Sequence, residues 1–202
     1  MKLYYTPTSP FVRKVLIAAI ELGLGERVET ALLRPTPVSA SAELSRHNPL
    51  SKIPALVLDD GSALYDSPVI CEYLETLSDR RLVPPAGPAR FEVLRTQALC
   101  DGILDAAILV FYERAQRPPE HHWQPWISGQ LEKARQGLDA LEALAPTWTD
   151  AVDLGQVSAG ATLGWLALRG VVGDVWEGRP ALQAWYARFS ARPSMVQTVP
   201  VV

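Results

Sequence analysis

Up to about residue 77 the apolar side chains switch repeatedly between a spacing of two and a spacing near 3.6; beyond about residue 90 only the longer spacing remains. KLYY (2–5) reads as a short strand. Residues 10–22 set Phe11, Val15, Ala18, Ala19 and Leu22 at helical spacing, and Gly23 and Gly25 end the run. RVETALL (27–33) reads as a strand closed by Pro35 and Pro37, and SASAEL (39–44) as a short helix. PALVLDDGSALYD (54–66) reads as two apolar strands around Asp60-Gly61, a pair suited to a tight hairpin turn. Residues 66–77 then place Val69, Ile70, Tyr73, Leu74 and Leu77 for one buried helical face. The order β-α-β-α-β-β-α predicts a four-stranded sheet, half parallel and half antiparallel hairpin, with helices on its faces.

VPPAGP (83–88) breaks both rhythms and reads as a linker. The expected organisation is a first domain over 1–78, a linker over 79–89 and a helical domain over 90–202. In the last, a long helix covers 90–116, and Ile127, Leu131, Ala134, Leu138, Leu141 and Ala145 trace a second. A third starts at Asp153, with Asp153 and Gln156 as a capping box and Val152 and Val157 as a hydrophobic staple. Gly155, Gly160 and Gly164 weaken that helix intrinsically, and close backbone approach in a bundle core is the expected compensation. A last helix covers about 180–190. The fold class is therefore α/β followed by all-α.

Composition adds exclusions. Nineteen basic against 22 acidic side chains give a net charge of −3, so nothing draws the chain to nucleic acid or anionic lipid. No apolar run approaches the roughly 20 residues of a membrane span. VLIAAI after Arg13-Lys14 is too short and too deep behind a strand to be a signal peptide. Cys71 and Cys100 are too few for a disulfide framework or zinc site, and a reducing cytoplasm is the expected compartment. His121 and His122 are adjacent and cannot share a metal from one helical face, so no metal is expected. Asp101 and Asp105 at i,i+4 read as structural or cleft-lining, and Phe11, Tyr112 and Trp165 chiefly as core.

Three constellations carry chemistry. Thr8-Ser9-Pro10 opens the first helix, where Ser9 serves either as a plain N-cap or as a hydrogen-bond donor to an anion, a thiolate above all. Lys52-Ile53-Pro54 precedes the third strand; a cis proline there would turn the Ile53 main chain outward for pairing with an extended peptide. Asp66-Ser67-Pro68 opens the third helix and suits the carboxylate and ammonium of an α-amino acid. Arg13 is a candidate partner for Asp66. Converging on one sheet edge, the three would supply a thiol activator, a peptide rail and an amino-acid clamp, which together describe a glutathione site.

On NPLSKIPAL, YDSPVICEYL and the Ser-Pro helix start, the chain resembles the cytosolic glutathione transferase superfamily over essentially its whole length, and most closely a bacterial serine-type subgroup. The resemblance implies an N-terminal thioredoxin-like domain followed by a C-terminal α-helical bundle domain. It also implies transfer of the glutathione thiolate to a small hydrophobic electrophile as a detoxifying reaction. Ser9 matches the thiolate-stabilising position and Ile53 the residue pairing with the cysteinyl backbone. Asp66 and Ser67 match the γ-glutamyl clamp, and Lys52 lies where a basic side chain reaches the glycyl carboxylate. Glutathione is implied as co-substrate with no further cofactor, and a homodimer as the assembly. The dimer has some support in the residues, since Val69, Leu74, Leu77, Phe91, Val93, Leu94 and Leu99 spread over more than one helical face. The alternative is a non-catalytic glutathione-binding or protein-interaction module on the same fold. Ser51 stands where the family commonly has Gly, a departure expected to matter little. SPFV replaces the CPFC type of motif, which excludes two-cysteine redox chemistry at this position.

Overall fold

The computed structural model describes residues 1–200. Its first part carries β1 (Lys2–Tyr5), α1 (Pro10–Glu21), β2 (Glu29–Leu32), α2 (Ala42–Ser45), β3 (Ala55–Val57), β4 (Ala63–Leu64) and α3 (Ser67–Thr76) in the expected order. The sheet order is β2-β1-β3-β4. β1 runs parallel to β2, while the β1–β3 and β3–β4 pairs are antiparallel. The hairpin turn forms where Asp60-Gly61 placed it: Gly61 has φ +85° and donates to the Leu58 carbonyl at 3.0 Å. The Asp60 carboxylate accepts from the Ser62 amide at 2.9 Å and the Ser62 hydroxyl at 2.6 Å, which holds its pKa below the usual value.

Strand alternation divides the core between the two faces. Leu3 pairs with Leu56 across β1 and β3, and both are buried. The next pair, Tyr4 and Ala55, points to the other face and clusters with Leu44 of α2. There the Tyr4 hydroxyl donates to Glu43 at 2.9 Å; burial first, and that bond second, raise the Tyr4 pKa.

The helical unit contains α4 (Pro88–Gln116), α5 (Gln124–Leu144), α6 (Leu154–Arg169) and α7 (Pro180–Phe189). α5 and α6 both pack on α4. Glycines permit the approach: a β-carbon on Gly155 of α6 would lie 2.9 Å from Thr96 Cβ of α4, and one on Gly137 of α5 would overlap Ile103. Asp153 caps α6 through a 2.8 Å bond from the Gln156 amide. The Gln156 side chain does not return to Asp153 as a capping box would have it; it donates to the carbonyls of Thr149 and Ala151 instead. α7 has no cap of its own. Glu142 of α5 accepts from its Ala181 and Leu182 amides at 3.0 and 2.7 Å, placing an anion at the helix N-terminus. No helix among the described residues is long and apolar enough to cross a membrane.

Contacts divide the chain into one unit of Met1–Leu82 joined by the segment from Pro193 onward, and another of Val83–Arg192. The helical domain expected from sequence runs through residue 202, of which residues 201 and 202 lie outside the described residues. The difference comes from α8 (Pro193–Gln197), which docks on α1. Buried Arg13 donates to the Met195 carbonyl at 3.1 Å and to the Thr198 hydroxyl at 3.4 Å, and the Ser194 hydroxyl donates to Glu21. Arg13 thus binds the tail, not Asp66 as the sequence reading paired it.

Candidate active site

Strand register brings the three constellations to one edge of the sheet. β1 ends at Tyr5, and the loop beyond it leads to Ser9. β3 runs antiparallel with Ala55 opposite Tyr4, so Ile53 enters beside the end of β1. β4 reverses again with Leu64 opposite Leu56, so Tyr65 and Asp66 leave toward the same edge. Ser9, the Lys52-Ile53 turn and Asp66-Ser67 therefore all follow or precede strands at the carboxyl end of β1, where open α/β sheets place ligands.

Ser9 has extended backbone geometry at the N-cap of α1, and its Oγ accepts from the Val12 amide at 3.3 Å. Capping and anion binding are not alternatives for a hydroxyl. The cap uses an acceptor lone pair, while the proton stays available to a second group. The first turn of α1 holds no acidic residue, so the positive end of its dipole is not offset there. Ser9 is half-buried, hence both positioned and reachable.

The Ile53–Pro54 peptide is cis, and Ile53 lies just outside the β-ladder, whose first residue is Ala55. The Ile53 side chain packs partly against the Tyr4–Leu44–Ala55 cluster, which anchors its main chain at the edge. Lys52 is exposed. Asp66 is the N-cap of α3 by backbone geometry alone: its carboxylate makes no capping bond, and the first turn of α3 holds no acidic residue. An exposed carboxylate that does not serve its own helix is free to meet a cation. Ser67, the first residue of α3, is buried.

Two residues of the NPLSKIPAL segment take structural parts beyond those expected from sequence, where Ser51 in place of the family's Gly was expected to matter little. Ser51 has φ +50°, the left-handed region that favours glycine, which gives a physical reason for the family's Gly at this position. Its hydroxyl accepts from the Ser41 amide at 3.0 Å, tying the turn to the N-cap of α2. Asn48 is buried beneath the same turn and bonds it on both sides. In the helical unit, Trp165 is buried and meets Phe111 edge-on at 6.0 Å, with the Arg169 guanidinium 4.9 Å from the Phe111 ring centre. Among the described residues no cluster of His, Cys, Asp and Glu is arranged to hold a metal ion.

Residues 8–77 match the family model for the glutathione S-transferase N-terminal domain, and residues 124–188 match that for the C-terminal domain. The GST-like protein YibF of Escherichia coli K12 is 32% identical over 99% of this chain and 98% of its own. The chain belongs to the glutathione S-transferase family. A family member from Pseudomonas fluorescens Pf-5, solved with bound glutathione, is 42% identical over 100% of this chain and 99% of that one, with a TM-score of 0.97. A structure from the same organism with bound S-(propanoic acid)-glutathione is 41% identical over the full length of both chains, with a TM-score of 0.92. The two-part fold of this glutathione S-transferase family protein is thus the family's own, a thioredoxin-like sheet domain and a helical domain.

Proposed function

We propose that the protein binds glutathione at the β1 edge and transfers its thiolate to a small hydrophobic electrophile. The observation that carries this reading is the state of the two helix starts that share the edge. Ser9 caps α1 and still has a proton to give, and Asp66 heads α3 with a carboxylate that caps nothing. In the proposed complex the Ser9 hydroxyl donates to the glutathione sulfur, and the α1 N-terminus adds its positive potential. Both favour the thiolate, the form that attacks carbon. The Ile53 amide and carbonyl pair with the cysteinyl unit, Asp66 and Ser67 hold the γ-glutamyl ammonium and carboxylate, and Lys52 meets the glycyl carboxylate. Fixing both ends of the tripeptide aims the sulfur and lowers the entropic part of the barrier. Ser9 and Val12 carry no sulfur, so a mixed disulfide between this motif and glutathione is excluded.

The relatives support the ligand. One Pseudomonas structure holds glutathione, and another holds glutathione with a group on its sulfur, the kind of molecule such a transfer leaves. Retention on immobilised glutathione, followed by conjugation assays over a panel of electrophiles, tests the reading. Binding with turnover is expected. Binding without turnover on any electrophile would replace the transferase with a glutathione-binding module.

A further inference from the structure

We propose that Asn48 is a positioning residue for glutathione: by holding the Lys52 carbonyl it sets the plane of the Lys52–Ile53 peptide, and with it the direction of the Ile53 N–H. This rests on the reading of Ile53 as the rail for the cysteinyl unit.

Asn48 is 2% exposed, whereas Leu50 is 67% exposed and Lys52 also faces solvent. A buried amide beneath an exposed turn calls for a reason, and its bonds supply one. Nδ2 donates to the Lys52 carbonyl at 2.8 Å, and Oδ1 accepts from the Leu50 amide at 3.1 Å. One partner accepts only and the other donates only, so the amide has a single satisfying orientation. The main chain closes the same turn, with the Ser51 amide donating to the Asn48 carbonyl at 2.8 Å. The base is also fixed, since the Asn48 amide donates at 2.8 Å to the carbonyl of Leu44, a fully buried core residue.

The consequence follows from peptide geometry. The Lys52 carbonyl and the Ile53 amide belong to one planar unit, and in a trans peptide their C=O and N–H point in opposite directions. Anchoring the oxygen to Asn48 turns the Ile53 N–H away from the turn. Aspartate, nearly the same shape, keeps the acceptor for Leu50 but loses the donor for Lys52. Serine keeps an acceptor for Leu50 and is too short to reach Lys52. Neither touches Ser9.

The test is calorimetric titration of glutathione into wild type, Asn48→Asp and Asn48→Ser, each checked by urea unfolding, with the pKa of the bound thiol read from thiolate absorbance. The expected result is a dissociation constant raised about tenfold in both variants, equivalent to ~1.4 kcal/mol, with the bound-thiol pKa unchanged. The Ile53 amide resonance of the ligand-free variants is also expected to shift. If Asn48→Asp does not fold, Asn48→Ser carries the same expectation. A folded variant that binds glutathione within about twofold of wild type (a change under ~0.5 kcal/mol) overturns the role of Asn48 while leaving the site intact. Wild type that fails to bind glutathione overturns the reading of the site itself.

Discussion

Replacing Ser9 with alanine and, separately, with glycine distinguishes the two uses of its hydroxyl. The hydroxyl caps α1 at Val12 and, in the proposed complex, donates to the glutathione sulfur. Loss of an N-cap to alanine costs about 0.5–2 kcal/mol of folding stability, but loss to glycine costs only a few tenths. The thiolate bond makes no such distinction, because neither replacement has a proton to give. A hydrogen bond to a charged group contributes roughly 1.5–3 kcal/mol. At about 1.36 kcal/mol per pKa unit, both variants should raise the bound-thiol pKa by about one to two units. The α1 dipole remains and contributes about 0.3–1 kcal/mol, so part of the depression should survive. Thiolate absorbance titrated against pH gives the pKa directly, and the pH profile of kcat should move with it. Urea unfolding gives the cap. The expected pattern is a stable Ser9→Gly protein that has lost the same share of thiolate as Ser9→Ala. A glycine variant with wild-type thiol pKa and kcat would reduce Ser9 to a cap and move the activation to Thr8 or backbone amides.

Asp66→Ala and Ser67→Ala should weaken glutathione binding by roughly 1.5–3 kcal/mol each, the worth of one charge-assisted bond, with little change in bound-thiol pKa; wild-type affinity by calorimetry would remove them from the clamp. Burial raises the Asp153 pKa despite its bond from Gln156. Between its ordinary and raised values the native state holds more protons than the unfolded, so this group's stability is present at lower pH and lost as pH rises through the raised value. Asparagine caps as well without the charge, so the stability of Asp153→Asn relative to wild type should grow across that window. A difference that is flat with pH in urea titrations would count against it. Leu74 and Val93 are buried, but Val69 is 44% and Phe91 68% exposed, an apolar surplus suited to the proposed homodimer. Sedimentation equilibrium at micromolar concentration should give twice the 22.1 kDa chain mass, and a single species at chain mass would refute the dimer.

Features whose signal and partner lie close together in the chain were legible in the sequence. Ser9 and Val12 sit one turn apart, Asp153 and Gln156 likewise, and Asp60-Gly61 make their own turn. What stayed hidden depends on where a group's partner lies. Glu142 caps a helix 39 and 40 residues further on, a partner that no local pattern marks. Arg13 reads from sequence as a partner for Asp66, yet it is buried and bonds a tail 182 residues away in sequence. That tail helix, Pro193–Gln197, is too short to show a period. Asn48 stood inside the quoted motif, but its bond goes to a backbone carbonyl, which no side-chain pattern marks. Ser51 shows that a residue's identity does not disclose its backbone region: serine stands there with glycine-like φ, held by Ser41.

The docking of α8 on α1 also bears on the order in which the protein is made. A ribosome releases α1 early and the segment that covers Arg13 late, after all of Val83–Arg192 has been synthesised. Until then α1 is built and packed on α3 but lacks the bonds that α8 makes to Arg13 and Glu21. The helical unit is, topologically, an insertion between two pieces of the sheet unit, so a nascent chain halted before Pro193 has every strand and lacks the clasp. A change that disturbs α8 therefore acts on the same helix as a substitution in Pro10–Glu21.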